Sequence, residues 1–108
     1  MTQAADTNLH FHQALEALEH TVVGMADRAE HMVEMAVDAV INGDLDLAQR
    51  VIELDDEIDA THFQVHQQWT AMMARFQPLG SDLRRMSILL QLNATFEKVK
   101  TDLDAANG

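Results

Sequence analysis

The chain has 108 residues, enough for one small domain whose modest core a second copy could complete. It carries 18 acidic and 7 basic side chains, and the formal net charge of −11 excludes nucleic acid and anionic lipid surfaces as favoured partners. It has no cysteine, which excludes disulfides and thiolate zinc ligands.

The composition favours long helices. Alanine, leucine, methionine, glutamate and glutamine are abundant, tyrosine is absent, and there are only 1 proline and 4 glycines. The N-terminal segment lacks the basic and apolar regions of a signal peptide, and no apolar run is long enough to span a bilayer. We therefore expect an all-α, cytoplasmic protein without membrane insertion.

The first predicted helix covers about residues 8–42. Its apolar positions alternate in steps of four and three, the heptad pattern of a helix that packs against others along its length. At ~1.5 Å per residue this helix is roughly 50 Å long, so it requires partners of similar length. The apolar positions are Phe11, Leu15, Leu18, Val22, Met25, Ala29, Met32, Ala36 and Ala39.

A tight turn at Asn42 and Gly43 leads to the second predicted helix, about residues 44–76. The Asn-Gly pair supplies the left-handed residue that closes a helix C-terminus, and Asp44 can accept the first amide bonds of the next helix. The heptad rhythm then continues through Leu47, Val51, Leu54, Ile58, Thr61 or His62, Val65, Trp69, Met72 and Phe76.

Pro78 and Gly80 interrupt the pattern before the third predicted helix, about residues 80–105. Ser81 or Asp82 can cap this helix. Its apolar positions are Leu83, Met86, Leu90, Ala94 and Leu103. Three antiparallel helices with short loops predict a three-helix bundle, a single domain over residues 1–108.

Three segments of the chain resemble one repeat of the PhoU family of phosphate-uptake regulators. They read DLAQRVIELDDEID at residues 46–59, FQPLGSDLRRM at residues 76–86 and FEKV at residues 96–99. Typical members carry two such three-helix repeats in tandem, and this chain carries one. The resemblance implies a cytoplasmic protein that links a phosphate ABC transporter to a sensor kinase.

The resemblance also implies metal clusters held by E(D)xxxD motifs on the bundle surface. Glu30 and Asp55 fall where the family places acids, and Asp59 continues the same face one turn on. His62 stands where the family often has glutamate, and the family's aspartate four residues after Glu97 is replaced here by Thr101. The family's metal motif is therefore only partly retained.

A stripe of two carboxylates and two imidazoles follows one face of the second predicted helix, because its spacings are four, three and four residues. Carboxylate with imidazole suits iron, zinc, nickel or manganese, so the stripe is a candidate site for a divalent metal. Alternatively, these side chains are a solvated margin of the core, or pair with Arg28 or Arg50. The stripe consists of Asp55, Asp59, His62 and His66.

The first predicted helix adds Glu30, Glu34 and Asp38, spaced four residues apart on one face. Three such carboxylates repel one another unless something neutralises them. A divalent cation can do so, although solvent and salt usually suffice at an exposed surface. The candidate metal ligands are therefore the four residues of the stripe together with Glu30, Glu34 and Glu97.

Trp69, Met72 and Phe76 form an apolar group near the end of the second predicted helix. The group either fills one end of the bundle or anchors a subunit interface. Because two single-repeat chains would recreate the two-repeat surface, we expect a homodimer, with these three residues as interface candidates.

We expect a PhoU-like regulatory adaptor that docks on a transporter ATPase or a sensor kinase. We do not expect an enzyme, because the sequence has no nucleophile elbow, phosphate loop or HExxH motif. The alternative is a divergent helical interaction module without a metal or phosphate role, which Thr101 favours.

Two further classes of function fit less well. A histidine phosphotransfer bundle usually has a lysine and a glycine after its histidine, and neither follows His31, His62 or His66. A di-iron oxidase needs two ExxH pairs, whereas only Asp59 and His62 have that spacing.

Overall fold

The computed structural model describes the backbone of residues 2–107 and the side chains of residues 6–95 and of Lys98. It contains three helices, α1 (Thr2–Asn42), α2 (Leu45–Phe76) and α3 (Gly80–Asn107), and no strand within residues 2–107. The all-α three-helix fold expected from the heptad pattern is confirmed. The helix bounds agree closely with those expected, except that α1 begins six residues earlier.

The bundle is a long rod, with extents of 62 × 22 × 18 Å. Because the connections between the helices are only a few residues long, each helix runs antiparallel to the one before it. None of the described helical segments combines the length and the apolar character that crossing a membrane requires.

The turn between α1 and α2 forms as its sequence predicts. Gly43 adopts a left-handed conformation with φ +63°, and the Asp44 backbone N–H then donates to the Ala39 carbonyl at 3.0 Å, closing α1. The Asp44 carboxylate accepts a hydrogen bond of 3.1 Å from the Leu47 backbone N–H and so caps α2. One residue therefore ends α1 and starts α2.

The turn between α2 and α3 is built differently from the expected cap. Gln77 takes the left-handed conformation at φ 47°, and its N–H donates to the Met73 carbonyl. Because α3 already begins at Gly80, Ser81 and Asp82 lie inside its first turn, and the expectation that either caps it is wrong. The Asp82 carboxylate instead lies 3.2 Å from the His12 Nε2 atom on α1.

The core lies where the first half of α1, the second half of α2 and the first half of α3 meet. It follows the predicted heptad positions of α1 and α2, since alternating steps of four and three keep these side chains on one face. Trp69, Met73 and Phe76 pack against it as partly buried side chains. The central cluster consists of Phe11, Leu15, Leu18, Val22, Val65, Met72, Met86 and Leu89.

The buried face of α3 differs from the one expected. Leu89 and Asn93 are buried with Met86, whereas Leu90 is half-buried and Ala94 is exposed. The helix is rotated so that its buried positions follow steps of three and four from Met86, and the polar Asn93 is the last of them among the described side chains. The expected Leu103 contact lies outside the described side chains.

Candidate functional site

Three carboxylates of α2 converge on one patch of surface. Asp55, Asp56 and Asp59 each offer a carboxylate oxygen, and these oxygens all lie within 4.8 Å of one another. Asp55 and Asp59 are half-buried, and Asp56 is exposed. Two like charges about 4 Å apart repel by about 1 kcal/mol even in bulk water, so a cation would relieve the repulsion between them. An all-oxygen set of this kind suits hard divalent ions.

His62 is oriented by Asn93 of α3. Asn93, only 1% exposed, donates from Nδ2 to the His62 backbone carbonyl at 3.2 Å, which places its Oδ1 atom 2.9 Å from His62 Nδ1. With the amide oriented in this way, His62 Nδ1 must donate its proton to the Asn93 oxygen. In the neutral ring, Nε2 is then the nitrogen that holds the lone pair.

The remaining members of the expected metal set are not grouped with the three aspartates. Among the described residues, the only group of three or more potential ligands is Asp55, Asp56 and Asp59. Glu30 and His66 are exposed, and Glu34 is exposed with a carboxylate oxygen 4.0 Å from His31 Nδ1. The expected ligand Glu97 and the substituted position Thr101 lie outside the described side chains.

Arg28 connects α1 to the segment of α2 beside the three aspartates. Its Nη2 atom donates to the Thr61 hydroxyl at 2.9 Å, and that hydroxyl donates to the Glu57 carbonyl at 3.0 Å. A guanidinium held here adds positive charge near the acidic patch and braces α2 against α1. One of the two arginines expected as possible partners of the stripe is therefore close to it.

The expected interface residues pack mainly within the chain. The Trp69 indole N–H donates to the Met86 carbonyl at 2.6 Å, and Met72 is 7% exposed. Phe76 meets Phe11 edge-to-face, with ring centroids 5.4 Å apart. Only the exposed parts of Trp69 and Phe76 are left for a second chain, and their interface role stays a prediction.

The negative charge of the chain is concentrated on both sides of the turn between α1 and α2. Residues 29–59 hold ten acidic side chains and a single basic one, Arg50, and so account for −9 of the formal −11. Toward the other end of the rod the contacts between helices are polar: Arg85 of α3 pairs with Glu19 of α1, and Asp82 of α3 lies beside His12 of α1. We call residues 29–59 the acidic half of the bundle, and its surface is suited to basic partners.

Two residues of this region were missed by sequence reasoning. Asp56 was passed over because the stripe was defined by steps of four and three, yet its position next to Asp55 brings its carboxylate into the group. Asn93 is not among the positions predicted to be buried on α3, because those positions were chosen for apolar side chains. Its position seven residues after Met86 was the available signal, since that spacing returns a side chain to the same helix face.

Comparison with known proteins identifies the family. The family model described as "PhoU domain" matches residues 22–99. The chain is 35% identical over 89 residues to the phosphate-specific transport system accessory protein PhoU homolog of Rhizobium meliloti, covering 82% of the chain and 38% of that protein. It is 30% identical over 89 residues to the Escherichia coli protein PhoU, covering 82% and 37%.

A third relative, the PhoU homolog of Pseudomonas aeruginosa, is 36% identical over 74 residues, covering 68% of the chain and 31% of that protein. The chain thus spans about two fifths or less of the length of these relatives. No solved structure matches it. The domain match, which includes both turns, the three aspartates and Asn93, shows that this chain belongs to the PhoU family.

Proposed function

We propose that this chain is a PhoU-type accessory regulator of phosphate transport, which acts in the cytoplasm as a protein adaptor and not as an enzyme. In this proposal it docks on the ATPase of a phosphate transporter or on a sensor kinase. The observation that carries the proposal is the PhoU domain match over residues 22–99, together with relatives named as accessory proteins of phosphate-specific transport.

The shape and charge of the bundle support an adaptor role. A rod 62 Å long presents two well-separated ends to partners, and most of the negative charge lies at one of them. Surface charge of one sign speeds and orients the approach of partners that carry the opposite charge. A regulator that works by docking needs such a surface, and it needs no catalytic group.

We also propose that the chain forms a homodimer. The support for this is the resemblance of residues 22–99 to one repeat of a family whose typical members carry two such repeats in tandem. The half-buried edges of Trp69 and Phe76 lie at the end of the rod away from the acidic half, where two negatively charged copies can meet with less repulsion.

We propose that the divalent metal expected from the sequence binds at Asp55, Asp56 and Asp59. Their oxygen-only donor set suits manganese best among the four metals considered, because iron, zinc and nickel are held more often with imidazole. His62 lies three residues after Asp59 on the same helix but is not a member of this group of ligands. Docking in this proposal does not depend on the metal.

The experiment that tests the function compares cells with and without the gene. Phosphate uptake is measured across a range of external phosphate concentrations, and purified chain is titrated against the purified transporter ATPase and the sensor kinase of the same organism. We expect uptake to lose its dependence on external phosphate in the deleted strain, and one of the two proteins to bind. Unchanged uptake and no binding to either protein would instead identify an interaction module without a phosphate role.

A further inference from the structure

Large apolar side chains are exposed together at the α1–α2 turn. Val33 is 55% exposed, Val37 51%, Val40 82% and Ile41 73%, and Leu45 at the start of α2 is 83% exposed. We call these five residues the hairpin patch. Single exposed apolar side chains are common on proteins, but a contiguous set more often marks an interaction site.

The spacing of the hairpin patch makes it a second face of α1. Steps of four, three and one from Val33 to Ile41 keep its α1 members within one side of the helix. This side is distinct from the core face, on which Ala39 is 7% exposed and Met32 is half-buried. The patch is therefore an apolar surface that lies outside the core formed by the described side chains.

Acidic side chains border the hairpin patch. Glu30, Glu34 and Asp38 are exposed and follow one edge of it at four-residue spacing, and Asp44 and Asp46 stand on either side of Leu45. No lysine or arginine occurs between residues 29 and 49. An apolar strip edged by carboxylates complements a helix that is apolar on one face and basic along its margins.

We propose that the hairpin patch binds a basic amphipathic helix of a partner protein. The proposal rests on the adaptor function and names the chemistry of its docking partner. From Val33 to Ile41 the patch runs about 12 Å at ~1.5 Å per residue, so about two turns of a partner helix cover it. The partner helix places its apolar residues on the patch and its lysines or arginines against the bordering acids.

Charge favours this occupant over the alternatives. A second copy would bring another acidic half, with its own formal −9, against the first. An anionic lipid surface would be repelled in the same way. A basic helix gains from the acidic side chains along the edge of the patch and around Leu45, while its apolar face is removed from water.

The test uses a synthetic, fluorescently labelled 18-residue peptide with leucines at helical spacing and lysines at its other positions. Binding to the full chain is followed by fluorescence anisotropy, and two further peptides have the same composition in scrambled order or glutamate in place of lysine. We expect the amphipathic basic peptide to bind at least tenfold more tightly than either of them.

A matched pair of variants locates the binding surface. The double variant Val37→Gln, Val40→Gln removes two members of the hairpin patch, without changing charge and with a residue that favours helices. The control Ile88→Gln, Leu79→Gln replaces two side chains away from the patch. Their exposures, 55% and 81%, nearly equal those of Val37 and Val40, 51% and 82%. We expect the patch variant to weaken peptide binding at least tenfold and the control to leave it within about twofold.

Three results would overturn the proposal: equal binding of the scrambled peptide, equal weakening by both double variants, or a patch variant that converts a dimer of this chain into a monomer. The last result would assign the patch to a second copy. Peptide binding involves neither phosphate nor the transporter. The peptide experiment can therefore contradict the binding proposal while the proposed regulation of phosphate uptake stands, and the reverse is also possible.

Discussion

Asn93 joins α3 to α2 through two hydrogen bonds to the same residue, His62. Its amide nitrogen donates to the His62 carbonyl, and its amide oxygen accepts from the imidazole Nδ1. A buried side chain amide finds such partners only when the two helices are aligned at this level. The pair therefore selects one alignment of α3 along α2 and orients the imidazole ring of His62.

Replacing Asn93 with alanine should lower the free energy of unfolding by about 2 kcal/mol, because it removes both bonds and leaves a small cavity. Urea denaturation followed by circular dichroism measures this. The control is Gln91→Ala, an exposed position on the same helix, which should change stability by less than about 0.5 kcal/mol. Equal effects of the two substitutions would show that the Asn93 bonds do not stabilise the bundle.

Removing the cap of α2 should also destabilise the bundle. Asp44→Ala leaves the Leu47 backbone N–H without its side-chain acceptor, and we expect a loss of about 1 kcal/mol in thermal or urea unfolding. Asp44→Asn keeps an acceptor of similar capping strength and should cost much less. If the asparagine variant is as unstable as the alanine variant, the negative charge matters more than the hydrogen bond.

Salt should stabilise this chain. Between about 10 and 150 mM NaCl the Debye length falls from ~30 to ~8 Å, which screens the repulsion within the acidic half. We expect the melting temperature to rise by several degrees. The variant Glu30→Gln, Glu34→Gln, Asp38→Asn should show a smaller rise, and a melting temperature that falls with salt would contradict this explanation.

The metal proposal predicts that binding depends on the three aspartates and not on the acids of α1. Calorimetric titration of metal-free, untagged protein with MnCl₂ and ZnCl₂ should show a site that Asp55→Asn, Asp59→Asn weakens at least tenfold. The variant Glu30→Gln, Glu34→Gln removes the same number of charges and should retain it. An equal loss in both variants would point to diffuse attraction of cations by the acidic surface.

The dimer proposal predicts concentration-dependent assembly. Sedimentation velocity at micromolar concentrations should show a species of twice the chain mass, and the melting temperature should rise with protein concentration. A monomer whose helical content and melting are independent of concentration would rule the homodimer out. Because Trp69 also bonds to Met86 within the chain, substitutions at Trp69 would mix folding with assembly and are less useful here.

The fold follows from features that are local in the sequence. The heptad steps of α1 and α2 specify which face of each helix is buried, and Gly43 with Asp44 specifies the turn between them. These effects involve residues within a few positions of one another, so they can be read without knowing the partners. The motifs of the PhoU family are likewise short segments in a particular order.

Contacts between helices were decided by the tertiary structure. The rotation of α3 that buries Leu89 and Asn93 in place of Leu90 and Ala94 depends on the packing of all three helices at once. Asp82 contacts His12 and does not cap α3. This contact depends on the two residues lying at the same height along the bundle. Helical periodicity predicts the buried face of a helix only approximately. The contacts of all neighbouring helices together decide the exact rotation of the helix about its axis and its position along the bundle.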